Sequence, residues 1–320
     1  MSALLEVNGL TKQFGDFTAV DGIEFTVRKG EVLGFLGPNG AGKTTAMRMV
    51  TGYLPPTAGD ITIAGFDVEK HPIEVKRRVG YLPEGAPLYE DMTPLELLGF
   101  VANVREIYRP DRKRVILETA ERVNIQHVIN QTIGTLSKGY KRRVGIAQAI
   151  LHDPDVLILD EPTDGLDPNQ KHEVRNLINE MAPTKSIVIS THILEEVDVV
   201  CSRAIVIAGG RIVANGTPQE LESKSRFHNA VRFRISGKSS DLETTLTALP
   251  NVAEINVSLD EHKRATITAF PIEGVSIIND VNSCLRDTGI IAEEIHVERG
   301  HLDDVFRNIT KDTQDKINGN

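Results

Sequence analysis

The segment that most limits what this chain can fold into runs from Val32 to Thr45. Val32-Leu33-Gly34-Phe35-Leu36 has the aliphatic character of a buried strand. Gly37-Pro38-Asn39-Gly40-Ala41-Gly42-Lys43-Thr44 follows at the spacing G-x-x-x-x-G-K-[ST], with a helix predicted after it. Glycines let the backbone wind until several N–H groups converge on phosphate oxygens without Cβ clashes, and the following helix adds its positive N-terminal end. Lys43 is then placed to reach the β and γ phosphates of a nucleotide, and the Thr44 hydroxyl to ligate Mg²⁺. The alternative is a chance glycine turn, which the strand before and the helix after argue against. By itself the loop specifies a nucleotide phosphate and no particular reaction.

Val156 to Leu159 and Ile187 to Ile189 are further short aliphatic runs of the kind parallel strands show when both faces are covered. Thr93-Pro94-Leu95-Glu96 combines an N-cap Thr, Pro at the first helical position and Glu at the third, so a helix is predicted from there through about Val104. Strands alternating with helices give α/β layering around a parallel sheet. Gly209-Gly210, between the apolar runs 204–208 and 211–214, is a two-residue hairpin signal. At the end of the 156–159 strand stand Asp160 and Glu161, where ligands of parallel sheets bind. Asp160 is placed to hold Mg²⁺ through water, and Glu161 to act as general base on an attacking water. Taken alone, Asp-Glu-Pro fits a polar strand-to-loop transition equally well.

With 320 residues, two domains are expected. The boundary is placed near Glu220 to His228, a polar stretch without sustained apolar period: domain one spans 1–220, domain two 221–311, and 312–320 is a polar tail. The second domain reads as β-α-β-β-α-β, the order of a ferredoxin-like module, followed by a short helix with Leu302, Val305, Phe306 and Ile309 on one face. No apolar run approaches the roughly 20 residues a membrane-spanning helix needs, and the N-terminus lacks a secretory pattern, so a cytosolic location is expected. Cys201 and Cys284 lack metal-like spacing and are expected to be reduced and structural. A net charge of -9 argues against a dedicated nucleic-acid binder. The basic clusters Lys76-Arg77-Arg78 and Lys138 with Lys141-Arg142-Arg143 are expected on solvated helix faces.

Leu136-Ser137-Lys138-Gly139-Tyr140 resembles the L-S-G-G-Q signature of ABC ATPases, with Lys138 and Tyr140 as departures. Asp164-Gly165-Leu166-Asp167 resembles the family's D-loop, His192 in Ser190-Thr191-His192 its switch histidine, and Phe14 the aromatic that stacks on adenine. A lone His or Phe is more often core, so the last two assignments rest on the order of the surrounding motifs. Gly80-Tyr81-Leu82-Pro83-Glu84 stands where the family's Q-loop usually carries Gln, and Glu84 is expected to reach the site through metal or water. The resemblance covers roughly residues 4 to 220.

It implies an α/β P-loop NTPase domain with a helical subdomain, ATP and Mg²⁺ as cofactors, and a head-to-tail dimer whose expected partners are two identical chains. Each ATP is then held by Gly37 through Thr45 of one chain and by Ser137 and Gly139 of the other, with Asp164 at the interface. A separate transmembrane permease would dock on the region from about Glu84 to Ile133, attaching the chain to the inner face of the membrane. The Tyr-Leu-Pro-Glu loop, the Ser-Lys-Gly-Tyr signature and the second domain look like the bacterial exporter-type subgroup. Two other readings are a soluble ABC machine and a non-hydrolysing nucleotide sensor. Only about ninety residues separate Lys43 from Ser137, too few for a repair-type coiled-coil arm, a single phosphate loop disfavours a translation-type chain, and Glu161 with His192 disfavours the sensor.

Overall fold

The computed structural model describes residues 3–85, 87–236, 240–260, 264–272, 275–301 and 303–307. The chain forms two compact units, Met1–Asn215 and Gly216–Asn320.

The first unit opens with β1 (Ala3–Phe14), β2 (Phe17–Arg28), β3 (Val32–Leu36), α1 (Lys43–Val50), β4 (Ala58–Ile63), β5 (Phe66–Asp67), α2 (Pro72–Arg78) and β6 (Val79–Leu82). It continues with α3 (Pro94–Val104), α4 (Arg112–Arg122), α5 (Lys138–Ile150), β7 (Val156–Asp160), α6 (Pro168–Met181), β8 (Ser186–Thr191), α7 (Leu194–Val200), β9 (Arg203–Ala208) and β10 (Arg211–Gly216). Two sheets result, a four-stranded one in the order β2-β1-β4-β5 and a six-stranded one in the order β10-β9-β3-β8-β7-β6. From β9 to β6 the larger sheet is parallel. Every residue of β3, β7 and β8 is buried, which is why these strands read as unbroken aliphatic runs. In register, Leu36 lies beside Thr191, Asp160 beside Ser190 and Leu82 beside Leu159, so the segments that follow these strands emerge at one edge.

The start of α3 is as predicted: the Thr93 hydroxyl accepts from the Glu96 N–H at 3.2 Å, the Glu96 carboxylate accepts from the Thr93 N–H at 2.8 Å, and the helix ends at Val104. Gly209 and Gly210 both take positive φ in the two-residue turn between β9 and β10. Behind the larger sheet, α5 crosses β6 so closely that a Cβ on Gly80 would lie 2.2 Å from the Ala149 carbonyl oxygen.

The expected polar linker at 220–228 is folded instead. Thr217 and Glu220 form a capping box that starts α8 (Pro218–Glu222), Leu221 is buried, and Ser225 donates to Asp304 at 3.0 Å. The division between the units accordingly falls earlier, at Asn215/Gly216. The second unit continues with β11 (Val231–Ser236), α9 (Ser240–Thr247), β12 (Val252–Leu259), β13 (Arg264–Pro271), α10 (Ile278–Asp287) and β14 (Glu294–Val297). Its sheet order is β12-β13-β11-β14, with every neighbouring pair antiparallel. Phe233, Ile267, Leu246 and Val281 centre its own core. A last helical turn covers 303–307, where Val305 is buried; Leu302, Ile309 and the tail lie outside the described residues. Among the described residues, no helix is long and apolar enough to cross a membrane.

Candidate active site

The loop from Gly37 to Gly42 joins β3 to α1 under tight steric control. A Cβ on Gly37 would sit 2.5 Å from the Ile207 carbonyl oxygen. Gly42 has φ +103° and a Cβ there would meet the Ala19 carbonyl oxygen at 2.4 Å, so both positions require glycine. Pro38 is half-buried, Asn39 and Gly40 are exposed, Ala41 is buried, and Thr44 and Thr45 are half-buried in the first turn of α1. Lys43 folds back over the loop, its Nζ donating to the carbonyls of Gly37 at 2.6 Å and Pro38 at 3.2 Å. Burial lowers the Lys43 pKa, and the charges of Glu161, Asp160 and Glu84 oppose that shift, which places three carboxylates in the electrostatic neighbourhood of the ammonium.

Asp160, the last residue of β7, is 1% exposed. Its Oδ1 accepts from the Ser190 hydroxyl of β8, while Oδ2 is buried without a hydrogen-bond partner. Glu161, next along the chain, adopts φ +50°, a left-handed conformation that costs free energy unless its surroundings fix it. Its N–H donates to the Ser190 carbonyl at 3.0 Å, its carbonyl accepts from the Asp164 N–H at 3.2 Å, and its Oε1 lies 2.9 Å from His192 Nδ1. An ionised carboxylate only accepts, so in that state Nδ1 carries the proton and Nε2 faces away from the pair. Burial, the largest influence, raises the Glu161 pKa, and the His192 hydrogen bond and charge partly offset it. The result is a buried carboxyl suited to taking up a proton, with an exposed imidazole against it.

Glu84 is exposed two residues beyond β6 and makes itself felt through its charge on Lys43 and Arg142. Lys43, Asp160, Glu161, His192 and the charge of Glu84 thus come together at one sheet edge. Three other sequence-predicted residues, Ser137, Gly139 and Phe14, stand outside this cluster, and a fourth, Asp164, touches it through its backbone N–H on the Glu161 carbonyl. Ser137 caps α5, its Oγ accepting from the Tyr140 N–H at 3.4 Å, and is exposed. Gly139 is the second residue of α5, where a Cβ would meet the Gln170 side chain at 2.3 Å. Asp164 is exposed, and Phe14 is half-exposed at the end of β1 with the Lys12 ammonium 5.3 Å from its ring centroid. Among the described residues, neither Ser137 nor Gly139 hydrogen-bonds to residues 37–45.

Two features escape a reading of the sequence alone. The cluster Lys141-Arg142-Arg143 is not a solvated face: Arg142 and Arg143 are 7% and 6% exposed. The Arg142 guanidinium donates to the carbonyls of Pro83 at 3.2 Å, Pro162 at 3.3 Å, Asp160 and Glu161, and Arg143 pairs with Glu173. Helical spacing held the signal, since Arg142 shares a stripe with the buried Ile146 and Ala149. Glu196 of α7 is also buried and accepts from the hydroxyls of Thr163 and Thr191, tying the stretch after Glu161 to the one before His192.

A glycine loop between strand and helix, with carboxylates delivered by the neighbouring parallel strands, defines a nucleotide-hydrolysing protein of the phosphate-loop class. The chain belongs to the ABC transporter family, whose profile matches residues 20–164. It is 37% identical over 308 residues to the bacitracin transport ATP-binding protein BcrA of Bacillus licheniformis, covering 96% of this chain and 97% of that one. It is 31% identical over 308 residues to the linearmycin resistance ATP-binding protein LnrL of Bacillus subtilis (strain 168), covering 96% and 98%. Among solved structures it is similar to cbiO1 from Clostridium perfringens, part of the ABC transporter complex cbiONQ, with 29% identity, a TM-score of 0.63, and coverage of 70% of this chain and 92% of that one. The chain is therefore the ATP-binding and ATP-hydrolysing subunit of an ABC transporter, a class that works as dimers with a transmembrane permease. Both relatives match over nearly their whole length, so the second unit belongs to the shared architecture.

Proposed function

We propose that Lys43, Thr44, Asp160, Glu161 and His192 form one half of a composite ATP-hydrolysing site, completed by Ser137 and Gly139 of a second identical chain. The observation that carries this reading is the buried Glu161 carboxyl, its proton affinity raised and its Oε1 2.9 Å from His192. Lys43 exchanges its loop carbonyls for the β and γ phosphates when ATP arrives, and residues 37–45 wrap the phosphates. Phe14 stacks on the adenine, and Asp164 lies at the dimer interface. Water attacks the γ-phosphorus, its proton passing to Glu161 as the new P–O bond forms and the bond to the ADP oxygen breaks. His192 orients Glu161 and presents Nε2 toward the γ-phosphate.

Mg²⁺ fits these residues: the buried, unpartnered Oδ2 of Asp160 supplies a free acceptor, and Thr44 a hydroxyl in the first turn of α1. It would neutralise developing charge on the phosphate oxygens. Glu84 would reach it directly or through water. Equal Mg²⁺-ATP affinity and hydrolysis after Glu84→Ala would refute the role of Glu84.

The chain operates at the inner face of the membrane, held there by a permease whose cargo moves outward. A groove of about 480 Å³ between α2 and α3 supports that partnership. Ile73, Phe100 and Val104 line it with Tyr53, and Lys76, Arg77 and Arg105 rim it. Tyr53, Ile73, Phe100 and Val104 are between 46% and 72% exposed, a concentration of apolar surface that suits a partner helix. Co-purification with the permease is expected for the wild type and lost for Val104→Asp with an unchanged thermal transition. Retention of the permease by that variant would move the docking surface elsewhere. The second unit is read as a ferredoxin-like accessory module that adds dimer contacts or regulation.

A further inference from the structure

We infer that Arg142 is a positioning residue that ties the backbone of Glu161 to the loop leaving β6. The inference rests on the reading of Glu161 as general base. One guanidinium holds four carbonyls: Pro83 at the start of the Glu84 loop, Asp160 and Glu161 at the end of β7, and Pro162 beyond them. Arg142 lies in α5, the helix capped by Ser137, so a single side chain joins three segments of the site.

The geometry gives that junction a specific task. Glu161 holds a left-handed backbone conformation, which turns its carbonyl out of the strand direction. That carbonyl is taken up by Arg142 and by the Asp164 N–H. Without the guanidinium, the Asp160 and Glu161 carbonyls lose their shared donor, the Glu161 carbonyl keeps only the Asp164 N–H, and Glu161 can relax toward extended backbone, moving its carboxyl off His192. A buried cation is also intolerant of partial satisfaction. If the Pro83 carbonyl moves, the guanidinium must follow it or forfeit a bond, and either way the hold on Glu161 changes. Arg142 therefore converts the position of the 83–85 loop into the position of the base. Lysine has the charge but one compact head group in place of the planar fork, so it cannot serve carbonyls from two segments at once.

The test is a double-mutant cycle in the full chain assembled with its permease, reading the Mg²⁺-ATP dissociation constant and the single-turnover hydrolysis rate separately. Arg142→Lys is expected to lower the rate by about ten-fold or more and to change the dissociation constant by less than about three-fold. In a Glu161→Gln background the same substitution is expected to leave the residual rate unchanged within about two-fold, because its effect passes through Glu161. A second variant, Pro83→Gly, loosens the loop carbonyl while leaving the buried arginine in place, and is expected to show the same pattern if Arg142→Lys fails to fold. An equal proportional loss of rate in the Glu161→Gln background, or a loss confined to nucleotide affinity, would overturn the positioning role. Wild-type hydrolysis by Glu161→Gln alone would remove the general-base reading and this inference with it, and that single variant tells the two failures apart.

Discussion

Alanine at Gly80 would put a methyl group where α5 meets the sheet. Its Cβ would lie 2.2 Å from the Ala149 carbonyl oxygen and 2.9 Å from both Leu157 Cδ1 and Pro154 Cγ. The leucine can rotate, but a helix carbonyl moves only with its helix. Because real Cβ atoms do not approach closer than 3.0 Å, α5 must retreat by at least about 0.8 Å. Overpacking of this kind costs about 1–3 kcal/mol, and the smaller unfolded-state entropy of alanine returns about 0.4–1 kcal/mol. The mid-range values leave a net loss of roughly 1.3 kcal/mol, which corresponds to a midpoint about 3–5 °C lower for a unit of this size. Since α5 carries both Ser137 and Arg142, hydrolysis should fall as well. Differential scanning calorimetry of wild type and Gly80→Ala, followed by single-turnover ATPase below both transitions, measures the two effects. A midpoint at or above the wild type would refute the close seating of α5 on β6.

Glu196→Ala leaves the Thr163 and Thr191 hydroxyls without their acceptor, and at about 1–3 kcal/mol for each buried orphan the chain should lose roughly 2–6 kcal/mol in denaturant unfolding; a loss under about 1 kcal/mol would deny the clamp. His192 holds the Glu161 pKa down against burial, so His192→Ala should raise it further. A base must be ionised to work, so the acid limb of the residual single-turnover rate should move to higher pH, and a limb that stays put or moves down contradicts the pairing. Burial pushes the Cys201 thiol up to about 12, so at pH 8 it should resist iodoacetamide in the native chain and react on unfolding, as mass spectrometry can follow; rapid native labelling would contradict its packing against Gly34.

Much of the fold was readable because its signals are local. The runs 32–36, 156–159 and 187–189 must be aliphatic on both faces to be parallel strands between layers, and all three are buried strands. The capping box at Thr93 specified both the start of α3 and its direction. The order of elements in the second unit was legible for the same reason, from alternating apolar positions along β11 to β13. What escaped depends on groups brought together from a distance. Arg142 and Arg143 look like a charged surface until the carbonyl ends of β7 and β6, and Glu173 on α6, supply their partners. Glu195 and Glu196 are chemically alike neighbours, and only the phase of α7 exposes one and buries the other. The left-handed turn at Glu161 has no glycine to announce it. Ser137 and Gly139 were identifiable as motif residues, yet among the described residues of a single chain neither hydrogen-bonds to residues 37–45.

The most direct test of the account is to follow Mg²⁺-ATP binding, association state and hydrolysis together for the wild type and Glu161→Gln. Glu161→Gln is expected to bind ATP, accumulate as an ATP-bound dimer and hydrolyse it only at a small residual rate. Hydrolysis at the wild-type rate would contradict the assignment of Glu161 as the base, and with it the central claim about how this site works.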